Sequence, residues 1–107
     1  MTVREVTSIL ESFAPLAFQE DYDNSGLIVG DANMEVTGVL LTIDVTPQVV
    51  AEAVAGRANL IVAHHPVIFK GLKRITGKSY VEQVVVNAIK NNVAIYAAHT
   101  NIDSVQG

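Results

Sequence analysis

The segment NLIVAHHPVIF, Asn59–Phe69, joins the pattern of a buried β-strand to two adjacent histidines. Its continuous apolar start is typical of a strand that is covered on both faces of a parallel sheet. Pro66 lacks a backbone donor and favours an extended residue before it, so we expect the strand to end at the histidines. A second segment, VAIYAAHTNID, Val93–Asp103, has the same form, because its apolar run ends at His99.

Two further apolar runs complete the predicted sheet. Gly38–Asp44, GVLLTID, is rich in branched residues and is predicted to be a strand covered on both faces. Leu27–Val29 is a shorter run that follows a polar, turn-rich segment. Because the apolar runs alternate with helical patterns, we expect parallel pairing in a layered fold. The predicted fold class is α/β, with a mostly parallel sheet and flanking helices.

Helical periodicity predicts three helices, at about Val3–Phe13, Pro47–Ala55 and Ser79–Lys90. Thr2 and Glu5 form a capping-box pattern at the first helix, and Pro15 ends it. Thr46 can cap the second helix, with Pro47 at its first position. On the first helix we expect an inward stripe of Val3, Val6, Ile9, Leu10 and Phe13. On the third we expect a stripe of Val81, Val84, Val85, Ala88 and Ile89.

The composition restricts the classes of protein that remain. A chain of 107 residues suits one domain, and the absence of cysteine excludes disulfides and thiolate metal sites. No apolar stretch approaches the roughly 18 residues that cross a bilayer, and the opening MTVREVTSIL resembles neither a secretory signal nor a transit peptide. The expected location is the cytoplasm. A net charge of −4 gives no electrostatic basis for binding nucleic acid.

The basic segment Lys70–Lys78, KGLKRITGK, is predicted to be a solvated loop. Its glycines superficially match a phosphate-binding loop, but five residues separate Gly71 from Gly77 where that motif has four. The segment also begins several residues after its strand ends, whereas the motif follows its strand directly. We therefore interpret it as the approach to a helix that Ser79 caps.

Histidines and aspartates gather at the predicted strand ends. Asp44 ends one strand, His64 and His65 end the next, and His99 ends the last, with Asp103 four residues later. Parallel strands place their carboxyl ends along one edge, where ligands of open α/β sheets bind. Imidazole and carboxylate together suit zinc, iron, nickel or manganese. The adjacent imidazoles could converge on one ion or serve two neighbouring ions, and the role of Asp44 stays open.

Four segments of the chain resemble the Nif-three-like family, a dinuclear-metal family often named GTP cyclohydrolase I type 2-like. They are FAPLAFQEDYDNSGLIVGD, GVLLTIDVT, LIVAHHPVIFKGLKRIT and VAIYAAHTNIDSVQG, which together extend from Phe13 to Gly107. The resemblance implies the N-terminal half of a Nif-three-like fold, so we expect residues 1–107 to form a single α/β domain of a longer, two-part chain. It also implies that full-length members assemble as ring-like homohexamers.

A metal site is the second implication of the resemblance. His64 and His65 would each bind one of two divalent ions, and Asp103 would be the third ligand. His99 matches a position close to these ligands in the family motif. From that position we expect it either to support the ligands or to be a catalytic residue that orients or deprotonates water. A family motif that would shape the cleft wall matches Asp23, Asn24 and Gly26. The family's remaining ligands, a histidine and a glutamate, lie beyond the length of this chain, so we expect the two-ion site to be incomplete in it.

Several functions are compatible with these features. The first is a metal-dependent, hydrolase-like protein of unknown substrate, in which a bound divalent ion lowers the pKa of the attacking water. The alternative is a metal-stabilised oligomeric scaffold or regulatory interaction module without turnover, which the apolar content favours because a half-fold exposes surfaces that need covering. A third is a stable α/β domain whose metal geometry is vestigial. Turnover in a metal-dependent screen separates the first from the others.

Overall fold

The computed structural model describes residues 1–13, 26–65 and 74–98, which form three helices and a four-stranded sheet. In chain order the elements are α1 (Val3–Phe13), β1 (Gly26–Val29), β2 (Val39–Thr42), α2 (Pro47–Ala55), β3 (Leu60–Ala63), α3 (Tyr80–Lys90) and β4 (Ala94–Ala97). The predicted α/β class is therefore confirmed. Within the described residues, no helix is long and apolar enough to cross a membrane.

The strand order, β1-β4-β3-β2, brings one end of every strand to a common edge of the sheet. β2, β3 and β4 are parallel, and their last residues, Thr42, Ala63 and Ala97, are aligned by the register. β1 runs antiparallel to β4, with Gly26 opposite Ala97, so the start of β1 lies at the same level. We call this edge, marked by Gly26, Thr42, Ala63 and Ala97, the carboxyl edge.

Side chains alternate between two core clusters, one on each face of the sheet. Ile61 of β3 and Ile95 of β4 pack on one face with the buried residues of α2 and α3. Leu60 and Tyr96 pack on the other face with Val3 of α1. Two helices thus cover one face and a single helix covers the other. The central strands β3 and β4 are held from both sides, which fixes the level at which they end.

The predicted caps of α1 and α2 are confirmed. At α1, the N–H of Glu5 donates to Thr2 Oγ1 at 3.2 Å, and the N–H of Thr2 donates to Glu5 Oε1 at 2.9 Å. This reciprocal pair is the capping box expected from the sequence. At α2, the N–H of Val49 donates to Thr46 Oγ1 at 3.2 Å, with Pro47 in the first turn. The α2 cap matters for the site, because it fixes where the chain turns after β2.

Gly30 allows β1 and β4 to approach each other closely. Its φ of 114° lies in a region that favours glycine, and a Cβ built there would lie 2.7 Å from the Cβ of Ala94. A larger residue at position 30 would push β1 away from β4. The glycine therefore allows the end of β1 to lie close to the start of β4.

The prediction that β2 is covered on both faces is wrong. Leu40 packs against the core on the α2 side, whereas Leu41 is 74% exposed on the α1 side, and Val39 and Ile43 are exposed as well. The reason is topological, because β2 is an edge strand of the described sheet and α1 packs over β3 and β4 instead. We call Val39, Leu41 and Ile43 the β2 stripe.

Two helix residues that we expected to face inward are also exposed. Ile9 of α1 is 50% exposed and Ile89 of α3 is 59% exposed. Each residue advances a helix by about 100°, so Ile89 lies about 90° and Ile9 about 110° from the centre of its helix's buried stripe. At that angle the side chain lies at the margin of the surface that the helix packs against the sheet, where it stays partly in solvent. The expected inward position of Phe13 falls outside what the structure describes.

The carboxylate of Glu82 stabilises the N-terminus of α3 through several hydrogen bonds. It accepts from the N–H of Thr76 at 2.9 Å, from the Thr76 hydroxyl at 3.1 Å and from the Ser79 hydroxyl at 3.0 Å. The predicted Ser79 cap is present, since Ser79 Oγ accepts from the N–H of Glu82 at 3.2 Å. The Thr76 N–H is the main reason why the pKa of Glu82 falls from 4.5 to about 2.

This lowered pKa predicts an acid-sensitive contribution of Glu82 to stability. Because folding favours the ionised carboxylate, the contribution is fully present above about pH 4.5 and is lost as the pH falls towards 2. We expect Glu82→Gln to be less stable than the natural sequence at pH 7, with a difference that shrinks as the pH falls towards 2 and is lost below it. Urea midpoints followed by circular dichroism across this pH range test it. A difference that stays constant with pH would contradict it.

The exposure of Leu41 predicts that leucine-to-alanine substitutions at positions 41 and 60, on the same face of the sheet, differ in their effect on stability. Leu60 is fully buried on the same face as Leu41. We expect Leu60→Ala to lower the free energy of unfolding by about 2–5 kcal/mol, and Leu41→Ala to lower it by less than about 1 kcal/mol. Chemical denaturation at low protein concentration measures both. Equal losses would mean that another surface covers the β2 stripe in solution.

Candidate functional site

The backbone at the end of β3 explains how two adjacent histidines reach the same side. The N–H of His64 donates to the carbonyl of Thr42 at 3.1 Å, and the N–H of His65 donates to the carbonyl of Ile43 at 2.9 Å. In a regular strand, successive N–H groups point to opposite neighbours and successive side chains to opposite faces. Here both N–H groups point to the chain of β2, so the alternation has ended by this point.

The two imidazoles consequently lie side by side. Their ring centroids are 4.8 Å apart and the ring planes are inclined by 48°. Both residues are partly buried, and the side chain of His65 is 40% exposed. The rings are thus supported by the protein and still accessible to a ligand. The expectation that the strand ends at the histidines is confirmed, because β3 ends at Ala63.

Asp44 contacts His65 directly. Its Oδ1 lies 2.7 Å from His65 Nδ1, and its side chain is 66% exposed. Ion pairs with this much exposure contribute only about 0–1 kcal/mol to stability, so the contact adds little to the fold. The contact matters more for the orientation of the imidazole, since it occupies one of the two ring nitrogens.

The connection from β2 to α2 holds the backbone of Asp44 in place. The Thr42 hydroxyl donates to the carbonyl oxygen of Asp44 at 2.9 Å. Val45, the next residue, is 3% exposed and belongs to the core cluster on the α2 side. Thr46 then caps α2. Contacts on both sides of Asp44 therefore fix the point from which its short side chain reaches His65.

The sequence alone did not predict the contact between Asp44 and His65, because the contact depends on the register of β2 and β3. Thr42 and Ala63 are register partners at the ends of β2 and β3. Asp44 and His65 each follow their partner by two residues. Two parallel strands that end at the same level place residues at equal distances past their ends beside each other. The register, once known, therefore predicts that Asp44 lies beside His65.

Three of the residues that we singled out at the strand ends come together at the carboxyl edge: Asp44, His64 and His65. Gly26 also lies at this edge, opposite Ala97. Ala98 is the last described residue before His99, and its N–H donates to the carbonyl of Ala63 at 2.9 Å. The remaining candidates lie outside the described residues: Asp23, Asn24, His99 and Asp103.

The described donors fit part of a metal site. In the described ranges, no group of three or more histidine, aspartate or glutamate side chains is placed to hold an ion. The two imidazoles nevertheless offer borderline nitrogen donors of the kind that zinc, iron and nickel accept. The side-by-side rings are compatible with both alternatives that the sequence left open, one shared ion or two neighbouring ions. Further ligands would have to come from elsewhere.

Comparison with protein families gives a match over the whole chain. The model of the family described as Duf34/NIF3 (NGG1p interacting factor 3) matches residues 1–107. The chain is 39% identical over 106 residues to the GTP cyclohydrolase 1 type 2 homolog of Clostridium acetobutylicum, covering 99% of this chain and 40% of the relative. It is 36% identical over 104 residues to the Bacillus subtilis protein of the same name, covering 97% of this chain and 28% of the relative.

Solved structures show the same fold. The crystal structure of Staphylococcus aureus protein SA1388 superposes with a TM-score of 0.92 at 37% identity, covering 96% of this chain and 33% of that one. A Bacillus cereus protein related to NIF3 gives a TM-score of 0.90 at 43% identity, covering 96% and 28%. The chain thus spans less than half the length of these relatives, and each match includes the segment that carries the histidine pair.

Proposed function

The chain belongs to the Duf34/NIF3 family, and from that membership we propose that its carboxyl edge forms the N-terminal part of a divalent-metal site in a hydrolase-like protein. The observation that supports the proposal most is the pair of imidazoles at the end of β3. Their centroids lie 4.8 Å apart at the edge where open α/β sheets bind ligands. Structural histidines in a core would have no reason to be paired at that edge and left accessible.

Each residue has a distinct role in this proposal. His64 and His65, which directly follow β3, are two ligands, and Asp103 is a third ligand. His99 receives or holds a proton of the reacting water. A bound divalent ion supplies Lewis acidity and lowers the pKa of water towards neutrality. Residues beyond the length of this chain complete the set of ligands, and zinc, iron, nickel and manganese are all candidates.

The proposal leaves the substrate open within a defined class of reaction. The relatives carry the name GTP cyclohydrolase 1 type 2 homolog, so GTP is the first compound to assay. A net charge of −4 makes a nucleic-acid substrate a poor candidate, because binding of the phosphate backbone needs clustered basic residues. Phosphoesters and cyclic amides complete the panel. Turnover that requires the divalent ion would identify a hydrolase, and its absence with bound metal would favour the scaffold.

The metal proposal predicts that both histidines are needed for binding. We expect His64→Ala and His65→Ala to weaken the affinity for Zn²⁺ at least tenfold, because each removes a nitrogen donor. Equilibrium dialysis followed by elemental analysis measures this, both for this chain and for one extended to the length of the relatives. The matched control is Lys90→Ala, at the exposed end of α3 and at the opposite edge of the sheet. Metal content unchanged in both histidine variants would contradict the proposal.

Assembly is the other part of the proposal. We infer that the full-length protein forms a homohexamer, and the open β2 stripe supports assembly because exposed apolar strips of this kind mark interaction surfaces. Sedimentation velocity on the extended chain is expected to give six times the subunit mass. A single species of monomer mass across the micromolar range would contradict it.

A further inference from the structure

The chemistry of the contact between Asp44 and His65 assigns the position of a proton. A neutral imidazole has one N–H donor and one acceptor nitrogen, whereas an ionised carboxylate can only accept hydrogen bonds. At 2.7 Å, Asp44 Oδ1 and His65 Nδ1 are within hydrogen-bond distance, so the proton lies on Nδ1. Histidine free in water prefers the other tautomer, with the proton on Nε2. The carboxylate therefore reverses the intrinsic preference of the ring.

We propose that Asp44 is a positioning residue that holds His65 as the Nδ1–H tautomer, which makes Nε2 the acceptor nitrogen of the ring. As an account of metal binding, this inference rests on the proposed function. Carboxylates that accept a hydrogen bond from a metal-bound histidine fix its tautomer and ring orientation and increase its basicity. The assignment of the tautomer does not depend on any metal.

The backbone contacts of Asp44 suit it to this role. Its carbonyl accepts from the Thr42 hydroxyl, and the buried Val45 anchors the next residue. The N–H of His65 is bonded to the carbonyl of Ile43, which ties the two strand ends together within one residue of the pair. Carboxylate and imidazole are thus both carried on fixed backbone before any ligand arrives, so little conformational freedom is lost on binding.

The exposure of the pair argues against a purely structural role. The Asp44 side chain is 66% exposed, and a contact so open to water adds little to folding stability. Asp44→Asn should therefore fold normally, which circular dichroism verifies. An asparagine amide can donate a hydrogen bond through its nitrogen as well as accept one through its oxygen. The residue at position 44 then no longer requires a proton on Nδ1 of His65. Changing this one atom isolates the effect on the proton of His65.

The decisive experiment reads the tautomer of His65 in metal-free protein by long-range ¹H–¹⁵N correlation, at a pH where imidazole is neutral. The Nδ1–H pattern is expected for the natural sequence, with a shift towards the Nε2–H pattern in Asp44→Asn. Glu52→Gln removes the same charge from an exposed position on α2 and is expected to leave the pattern unchanged. His65 in the Nε2–H form, or a pattern that Asp44→Asn does not alter, would overturn the inference.

A titration with Zn²⁺ alone separates this inference from the proposed function. We expect Asp44→Asn to bind Zn²⁺ 10- to 100-fold more weakly than the natural sequence, and Asp44→Glu to recover part of the loss because it keeps an acceptor carboxylate. Glu52→Gln should bind normally. If even the natural extended chain binds no Zn²⁺, the proposed function fails, while the tautomer spectrum still decides the role of Asp44. If Zn²⁺ binds equally in Asp44→Asn, the positioning role is overturned and the metal site stands.

Discussion

The hydrogen bonds that join β2 to β3 and β3 to β4 in parallel hold Thr42, Ala63 and Ala97 at one level of the sheet. Every other feature of the site depends on this alignment. A shift of the register by one residue would exchange the two faces of a strand and move Asp44 away from His65. The buried residues on both faces of β3 and β4 prevent such a shift, because Leu60, Ile61, Ile95 and Tyr96 each fit one face only.

The candidate site lies where this regular pairing stops. Within β3 the side chains alternate, and two adjacent residues cannot serve one ligand. Past Ala63 the consecutive N–H groups of His64 and His65 are both bonded to the chain of β2, and the imidazoles lie together. The sheet thus supplies a rigid base up to its last residue, and the irregular turn beyond it supplies the geometry. Strand ends combine these two properties, which explains why ligand sites in such folds gather there.

Local sequence signals predicted the helices and their caps well, because Thr2, Thr46 and Ser79 act within their own first turn. The α/β class followed from alternation of patterns, and the family from motifs. The exposure of one face of β2 could not be predicted in the same way. A run of branched residues is typical of a strand that is covered on both faces, and the run does not show whether the strand is central or at the edge of the sheet. The contact of Asp44 with His65 needed the register. Asp103 and His99 stay predictions, because they lie outside the described residues.

The order β1-β4-β3-β2 also constrains how the chain can fold. β1 is made first among the strands, yet its partner β4 is made last, so its ladder cannot exist until the chain has been synthesised through Ala97. Closing such a loop of roughly 70 residues directly would cost on the order of 4 kcal/mol in chain entropy. Once β2, β3 and β4 have assembled, β1 is tethered to the sheet through the short segment 30–38, and the loop that remains is small. The cost of loop closure therefore favours an order of folding in which β1 joins a sheet that already contains β3 and β4, so that Gly26 reaches the carboxyl edge last.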